Sequence, residues 1–194
     1  GAGCRTLAEV TPIPPHLPYP SVDETGKPSM PLSDLRELSK RHKINIICST
    51  GYYIPEAVPA IRGMDAEAMA NNMVKTVRDG FGDLDIHPGI IKVGAHHLPL
   101  TSSEEEVFIA AGIAQSQTGV AVCCHSIMGS QAQLDALTKG GADPDHCYFS
   151  HVECEFGWEG RPLNEEAKYL EEIARRGGSL LFNNFGFEHD TPWE

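Results

Sequence analysis

"GIIKVGAHH", residues 89–97, sets Lys92 inside an apolar run with β-branched residues on both sides. Runs of the same character recur along the chain: "RTLAEV" at 5–10, "INIICST" at 44–50, "GIIKVGA" at 89–95, "VAVCCHS" at 120–126, "CYFSHV" at 147–152 and "SLLFNNF" at 179–185. Helical stretches separate them at 31–42, 65–80, 101–119, 129–141 and 163–178. Ser102 or Ser103 ahead of acidic residues is a good helix start, and the Gly that follows several of these stretches is a good stop. Strand and helix alternating with a period of roughly 30 residues predict parallel strands joined by crossover helices. Near-continuous apolar strands predict a sheet covered on both faces. The fold class is α/β.

Two architectures compete. An open doubly wound sheet needs a glycine-rich phosphate loop after its first strand. Here that place holds "TPIPPHLPYP", residues 11–20, which cannot cradle a phosphate. A (β/α)8 barrel of the TIM type has eight strands in about 250 residues, whereas this chain of 194 residues offers six. The expectation is therefore a single partial barrel domain over residues 1–194, with about six of eight βα units. The proline-rich stretch 11–31 is expected to be a βα loop on the active-site face.

The bulk composition narrows the partners. With 15 basic against 27 acidic residues, the formal charge of −12 argues against nucleic acid or an anionic membrane surface, both of which need clustered Lys and Arg. A small-molecule substrate fits better. Six cysteines could form three disulfides, but most sit in apolar strand-like runs and Cys123 and Cys124 are adjacent, which favours free thiols. No run approaches about 18 apolar residues, and the amino terminus lacks a basic-then-apolar signal pattern. The expected compartment is the cytoplasm.

Lys92 has company at the strand ends. His125 closes "VAVCC" and His151 closes "CYFS", 33 and then 26 residues further on, each step close to one βα repeat. Equivalent positions on consecutive strands aim at one place, which in a barrel is the carboxyl-terminal mouth. Taken singly, a strand-end His is read as a hydrogen-bonded residue or as a ligand, and a lone Lys in an apolar strand as a side chain that snorkels to the rim. Taken together, two neutral imidazoles are plausible ligands for a divalent metal such as zinc. Burial destabilises a charged amine, and a neutral amine can add carbon dioxide to become a carbamate with two oxygens. Lys92 would then bridge two metal ions as an anion.

At these residues the sequence resembles the phosphotriesterase-like family of the amidohydrolase superfamily. The stretches that carry the resemblance are "GCRTLAEVTP", "NIICSTGYY", "GIIKVGA", "TGVAVCCHS", "CYFSHVE" and "YLEEIARRGGSLLF", in order over nearly the whole chain. The resemblance implies a (β/α)8 barrel with a binuclear centre, Lys92 as the carboxylated bridging lysine with a catalytic part, and His125 and His151 as ligands of one metal. It also implies hydrolysis of a lactone, ester, amide or phosphotriester by metal-activated hydroxide. The ions would be zinc, with manganese, cobalt or iron accepted by mixed nitrogen and oxygen ligation. Tyr53 lies where relatives place an aromatic residue of the substrate pocket; a packing aromatic at a strand end is the equal alternative.

The departures concern absences. The family's His-x-His pair on its first strand and its Asp on the eighth have no counterpart here, so the chain is expected to lack the first and last barrel strands. His16, His42, His87 and His146 fall in loops or helices and do not replace them. Asn184 stands where several members carry an acid, Glu153 and Glu155 flank Cys154 beyond His151 without an assigned proton-shuttle role, and His96 and His97 read as exposed loop residues. The rival to a metal-dependent hydrolase is a catalytically inactive barrel remnant used for binding or assembly. A mononuclear hydrolase relying on His125 and His151 is a third reading. Relatives commonly pair and open sheet edges associate, so a homodimer is expected.

Overall fold

The computed structural model of the chain describes residues 3–15, 32–53, 55, 61, 63–156 and 162–184. Six strands, β1 (Thr6–Ile13), β2 (Asn45–Thr50), β3 (Ile90–Gly94), β4 (Ala121–His125), β5 (Cys147–Ser150) and β6 (Ser179–Leu181), alternate with five helices. The helices are α1 (Leu32–His42), α2 (Ala66–Asp79), α3 (Ser102–Thr118), α4 (Ser130–Lys139) and α5 (Leu163–Arg175). All neighbouring strands are parallel and their order in the sheet is the order in the chain. Each run read as strand or helix from the sequence is found, within a few residues at its ends. The described residues hold five βα units and a sixth strand of a barrel-type α/β fold.

Local chemistry explains the elements. Asp65 caps α2 by accepting from the Ala68 N–H at 2.8 Å, and Gly80, at φ 83°, ends it. Its buried residues Ala66, Met69, Ala70, Met73 and Val74 follow the three-four spacing of one helix face. In α3 the cap is Thr101 rather than Ser102 or Ser103. Its hydroxyl accepts from the Glu104 N–H while the Glu104 carboxylate returns to the Thr101 N–H, a reciprocal capping box. Gly112 of α3 and Gly140 after α4 let these helices touch backbone to backbone: a Cβ on either would collide with the carbonyl of Leu137 or of Ile109, respectively.

Period-two alternation sorts the strand residues between two faces. Ile91, Val93, Val122, Cys124, Cys147 and Phe149 belong to the main core, packed against α2, α3, α4 and α5. The register sets Lys92 beside Cys123 and Cys123 beside Tyr148, with Gly94 beside His125 and His125 beside Ser150 one level nearer the carboxyl ends. These residues occupy the opposite face, away from the helices. A smaller core of Ile13, Leu32, Leu35, Cys48 and Phe81 holds α1 to β1 and β2.

β1 runs further than its sequence pattern suggests, to Ile13 and so into the proline-rich stretch. Pro12 has no N–H for the ladder, and the β1–β2 register shifts between Ala8 and Pro12; an end strand tolerates this. The Ser49 and Thr50 hydroxyls restore the tie by donating to the Thr11 and Ile13 carbonyls at 3.0 and 2.9 Å. The remainder of the expected loop, residues 16–31 with His16, lies outside the described residues. The six cysteines are free thiols; Cys4 is exposed and the others are buried. No helix among the described residues is long and apolar enough to cross a membrane.

Candidate active site

Lys92 lies mid-strand in β3 and is only 5% exposed. Two glycines bring Tyr53 over it. Gly51, at φ 137°, turns the chain at the end of β2 so closely over β3 that a Cβ there would strike the Lys92 carbonyl. A Cβ at Gly94 would lie 2.9 Å from Tyr53 Cε2, so a bare Gly94 is what lets the phenol ring settle on the strand. Lys92 Nζ then sits 5.7 Å from the centre of that ring.

The imidazoles of the two strand-end histidines meet beside this pair. His125 and His151 have ring centres 4.8 Å apart at 68°, and Tyr53 meets His125 edge-on at 5.2 Å. Burial, with smaller contributions from Lys92, His151 and His96, pushes the His125 imidazole down to about 3. His151 is lowered too, by burial and by Lys92, against the opposing pull of Glu153 and the Asn184 and Asn183 amides. Both rings are therefore neutral at neutral pH, with a lone pair available on each.

The end of β5 is shaped to present His151. The residue sits at φ 68°, in the left-handed region that His enters more readily than most non-glycine residues. Its N–H is shared between the Leu181 carbonyl and Asn183 Oδ1, both at 3.1 Å. Glu153, 2% exposed, accepts from the Asn183 N–H at 3.0 Å and from the Asn184 N–H with the same oxygen, tying the turn after β5 to the end of β6. Asn184 also donates from Nδ2 to Cys154 Sγ at 3.2 Å. Nδ1 of His151 is buried with no hydrogen-bond partner among the described residues.

Sequence reasoning missed one member of the cluster and the device that places it. His96 is an exposed loop residue as expected, yet its ring lies 6.0 Å from that of Tyr53 and 5.8 Å from that of His125. Its loop is fastened by Glu104, which is fully buried. That carboxylate accepts from the His96 N–H at 2.7 Å, the Thr101 N–H at 2.8 Å, the His97 ring at 3.0 Å and the Thr101 hydroxyl at 3.1 Å. Burial alone would raise the Glu104 carboxyl, but these hydrogen bonds outweigh it and hold the group below its ordinary value. The available signal was the capping-box spacing, which the sequence offers three times over, at Thr101 to Glu104, Ser102 to Glu105 and Ser103 to Glu106.

His42, His87 and His146 lie away from the cluster, at the end of α1, in a loop, and in a single turn before β5. Among the described residues no group of three His, Cys, Asp or Glu side chains converges as a metal cage. A cleft of about 350 Å³ between Ile61, Met64, Met69, Ser103 and Glu106 is lined by none of the clustered residues.

Parallel βα units bring a lysine, imidazoles and an aromatic ring together at the carboxyl ends of the strands, the end at which a barrel of this type opens its mouth. The chain belongs to the phosphotriesterase family, whose model matches residues 27–194. It is 31% identical over 158 residues to an N-acetyltaurine hydrolase of Xenopus tropicalis, covering 79% of this chain and 43% of that protein. It is 24% identical over 166 residues to an aryldialkylphosphatase of Saccharolobus solfataricus, covering 82% of this chain and 50% of the relative. The chain thus spans half or less of the length of these curated relatives. Among solved structures, the phosphotriesterase homology protein of Escherichia coli, complexed with phosphate in its active site, superposes with a TM-score of 0.75 at 24% identity over 97% of this chain and 59% of the other. A lactonase from Listeria monocytogenes gives 0.76 at 15% identity, over 98% of this chain and 57% of the other. These likenesses bear out the barrel fold and the family resemblance read from the sequence.

Proposed function

We propose that the chain is part of a metal-dependent hydrolase acting on a small carbonyl substrate, a lactone, carboxylic ester or amide, at the Lys92, His125 and His151 cluster. The observation that carries this reading is the convergence of a buried lysine with two imidazoles that burial keeps neutral. The residues fit a divalent ion on one side: His151 has an orphaned buried Nδ1, and His125, whose ring centre lies 4.8 Å from that of His151, keeps an unprotonated nitrogen. An ammonium on Lys92 would repel the ion, so the fit requires Lys92 as its carbamate, formed with carbon dioxide.

His125 and His151 would hold one metal, zinc in our reading, and the Lys92 carbamate would bridge it to a second. When bound, such ions acidify water and neutralise charge developing on the attacked group. The chain's own part is to exclude water around Lys92, to keep both imidazoles in their ligating state, and to offer the Tyr53 ring as one flat wall for substrate. The relatives named as N-acetyltaurine hydrolase and as lactonase support a carbonyl target; the one named as aryldialkylphosphatase supports a phosphotriester as the second choice. A catalytically inactive barrel with a binding role is the rival reading, favoured by the lack, among the described residues, of three His, Cys, Asp or Glu side chains placed to hold one metal ion.

The test is metal analysis and an anomalous-scattering map after reconstitution with zinc and bicarbonate, beside an assay panel of lactones, esters, N-acyl amides and a phosphotriester. Metal at Lys92 and both histidines with turnover on a carbonyl substrate is the expected result. Less than about one ion per ten chains, for ligands that should bind zinc tightly when assembled, would overturn the proposal.

A further inference from the structure

Gln133 is sealed from solvent in α4, next to Leu134 and Leu137, and the role proposed above gives it no part. A buried amide is costly unless its donors and its acceptor are met. Here they are met by one short segment, residues 125–128. Gln133 Oε1 accepts from the Ser126 hydroxyl, while Nε2 donates to the Met128 carbonyl at 3.0 Å and to the His125 carbonyl at 3.4 Å. Two carbonyls can only accept, so a single orientation of the amide satisfies all three partners.

The same grip reaches the second imidazole. Ser126, also fully buried, donates its N–H to the Ser150 carbonyl at 2.9 Å, just past the point where β4 and β5 pair His125 with Ser150. Ser150 directly precedes His151. The strand ends that carry the two rings are therefore locked together at Ser126, and Ser126 is held by Gln133. The start of α4 at Gly129 has no side-chain cap, so Gln133, one turn inside the helix, supplies a side-chain tie from α4 to this loop.

We propose that Gln133 is a positioning residue for the imidazole pair: through the His125 carbonyl and the Ser126 hydroxyl it fixes the spacing at which the rings of His125 and His151 face a cation. The assignment rests on the metal-site reading for its consequence, the strength of zinc binding, whereas the spacing itself belongs to the metal-free chain. Ligands on separate strands bind a small ion tightly when their supporting groups hold them to within about half an ångström. Gln133 does this from the backbone side and leaves every ring nitrogen of the pair to the ion.

Nuclear magnetic resonance of the histidine-labelled chain, followed by zinc titration with bicarbonate present, tests this in the wild type, Gln133→Met, Ser126→Ala and a control. The control is Gly112→Ala, which strains the α3–α4 contact at Leu137 and Gly140 and leaves residues 125–128 alone. Met keeps the length of Gln and makes none of its hydrogen bonds; Ser126→Ala, the milder change, carries the test if Gln133→Met does not fold. In the metal-free wild type, ring centres 4.8 Å apart put carbon-bound protons of His125 and His151 in nuclear Overhauser contact. That contact is expected to weaken severalfold in Gln133→Met and to persist in Gly112→Ala. Zinc affinity, read by competition with a chelating dye, is expected to fall about tenfold in Gln133→Met and to stay within about twofold in Gly112→Ala. Unchanged ring contacts in folded Gln133→Met or Ser126→Ala overturn the assignment, and so does an equal loss in Gly112→Ala. A ring contact that depends on Gln133 in a wild type that takes up no zinc sinks the metal-site reading alone. Zinc uptake with ring contacts indifferent to Gln133 sinks the Gln133 assignment alone.

Discussion

His125 keeps a state that water would not give it. For His125 the folded value near 3 lies below the ordinary 6.5, so on acidification the unfolded chain takes up the proton first. Stability of the metal-free protein is then whole above about pH 7 and drains away between 6.5 and 3, at no more than about 1.4 kcal/mol per pH unit from this residue. His151 adds to the loss with the same sign. Thermal melts from pH 7.5 to 5 should show a falling midpoint that flattens in His125→Asn. Lys92 makes the opposite demand. No described carboxylate pairs with it, and its described surroundings are the Tyr53 ring, Cys123 and two imidazoles, so an apolar side chain of similar length should suit the site better when metal and bicarbonate are absent. Lys92→Met is expected to stabilise the metal-free chain by about 1 kcal/mol or more in urea unfolding while abolishing zinc uptake. A variant that still binds zinc would favour a centre built on His125 and His151 alone.

At the scale of elements, the helix starts do more than satisfy backbone donors. Glu104 belongs to the first turn of α3, yet three of its four hydrogen bonds go to residues outside that helix's own N–H series: the His96 N–H, the His97 ring and the Thr101 hydroxyl. Glu104→Ala would strand partly buried donors and loosen the loop that carries His96, at a cost of about 1 to 3 kcal/mol measured by denaturant unfolding. The α3–α4 contact gives a second expectation. Gly112→Ala must push the two backbones apart and should cost about 1 to 3 kcal/mol, whereas Gly119→Ala, where a Cβ meets nothing within 4 Å, should cost only the strain of φ 73°. The elements themselves were legible in the sequence, because buried parallel strands read as apolar β-branched runs and α2 repeats its apolar residues every three or four positions. The start of α3 was displaced by one or two residues, since Thr101, Ser102 and Ser103 all have capping chemistry and each has a Glu three residues on, so spacing alone does not select among them. His96 was read as surface because nothing in "AHHLP" shows that a buried acid seven or eight residues on folds the loop back over the strand ends.

For the whole molecule, the gradient from centre to edge decides where stability resides. Ile91, Val93, Val122, Cys124 and Phe149 are all but sealed from solvent in the central strands, whereas Leu7 of β1 and Leu181 of β6 are 49 and 41% exposed. Burying one such side chain fully contributes about 1.5 to 3 kcal/mol, so the centre opens only with the global transition. Hydrogen exchange should find the β3 to β5 amides slowest and those of β1 and β6 faster by about a hundredfold or more. The joint phase of Lys92, His125 and His151 was visible from spacing because whole βα repeats return a residue to the same end of the sheet. The neutral state of the imidazoles was not, since it depends on how deeply neighbouring chains cover them.

The distribution of the thiols has a practical consequence. Cys4 is exposed and the remaining five cysteines are buried, with Cys48, Cys124 and Cys147 further disfavoured as thiolates because burial pushes them up. The native protein should consume one equivalent of an alkylating reagent promptly and yield the others only as it opens. Its own sulfur atoms thus serve as a built-in clock for unfolding, with no foreign label to install.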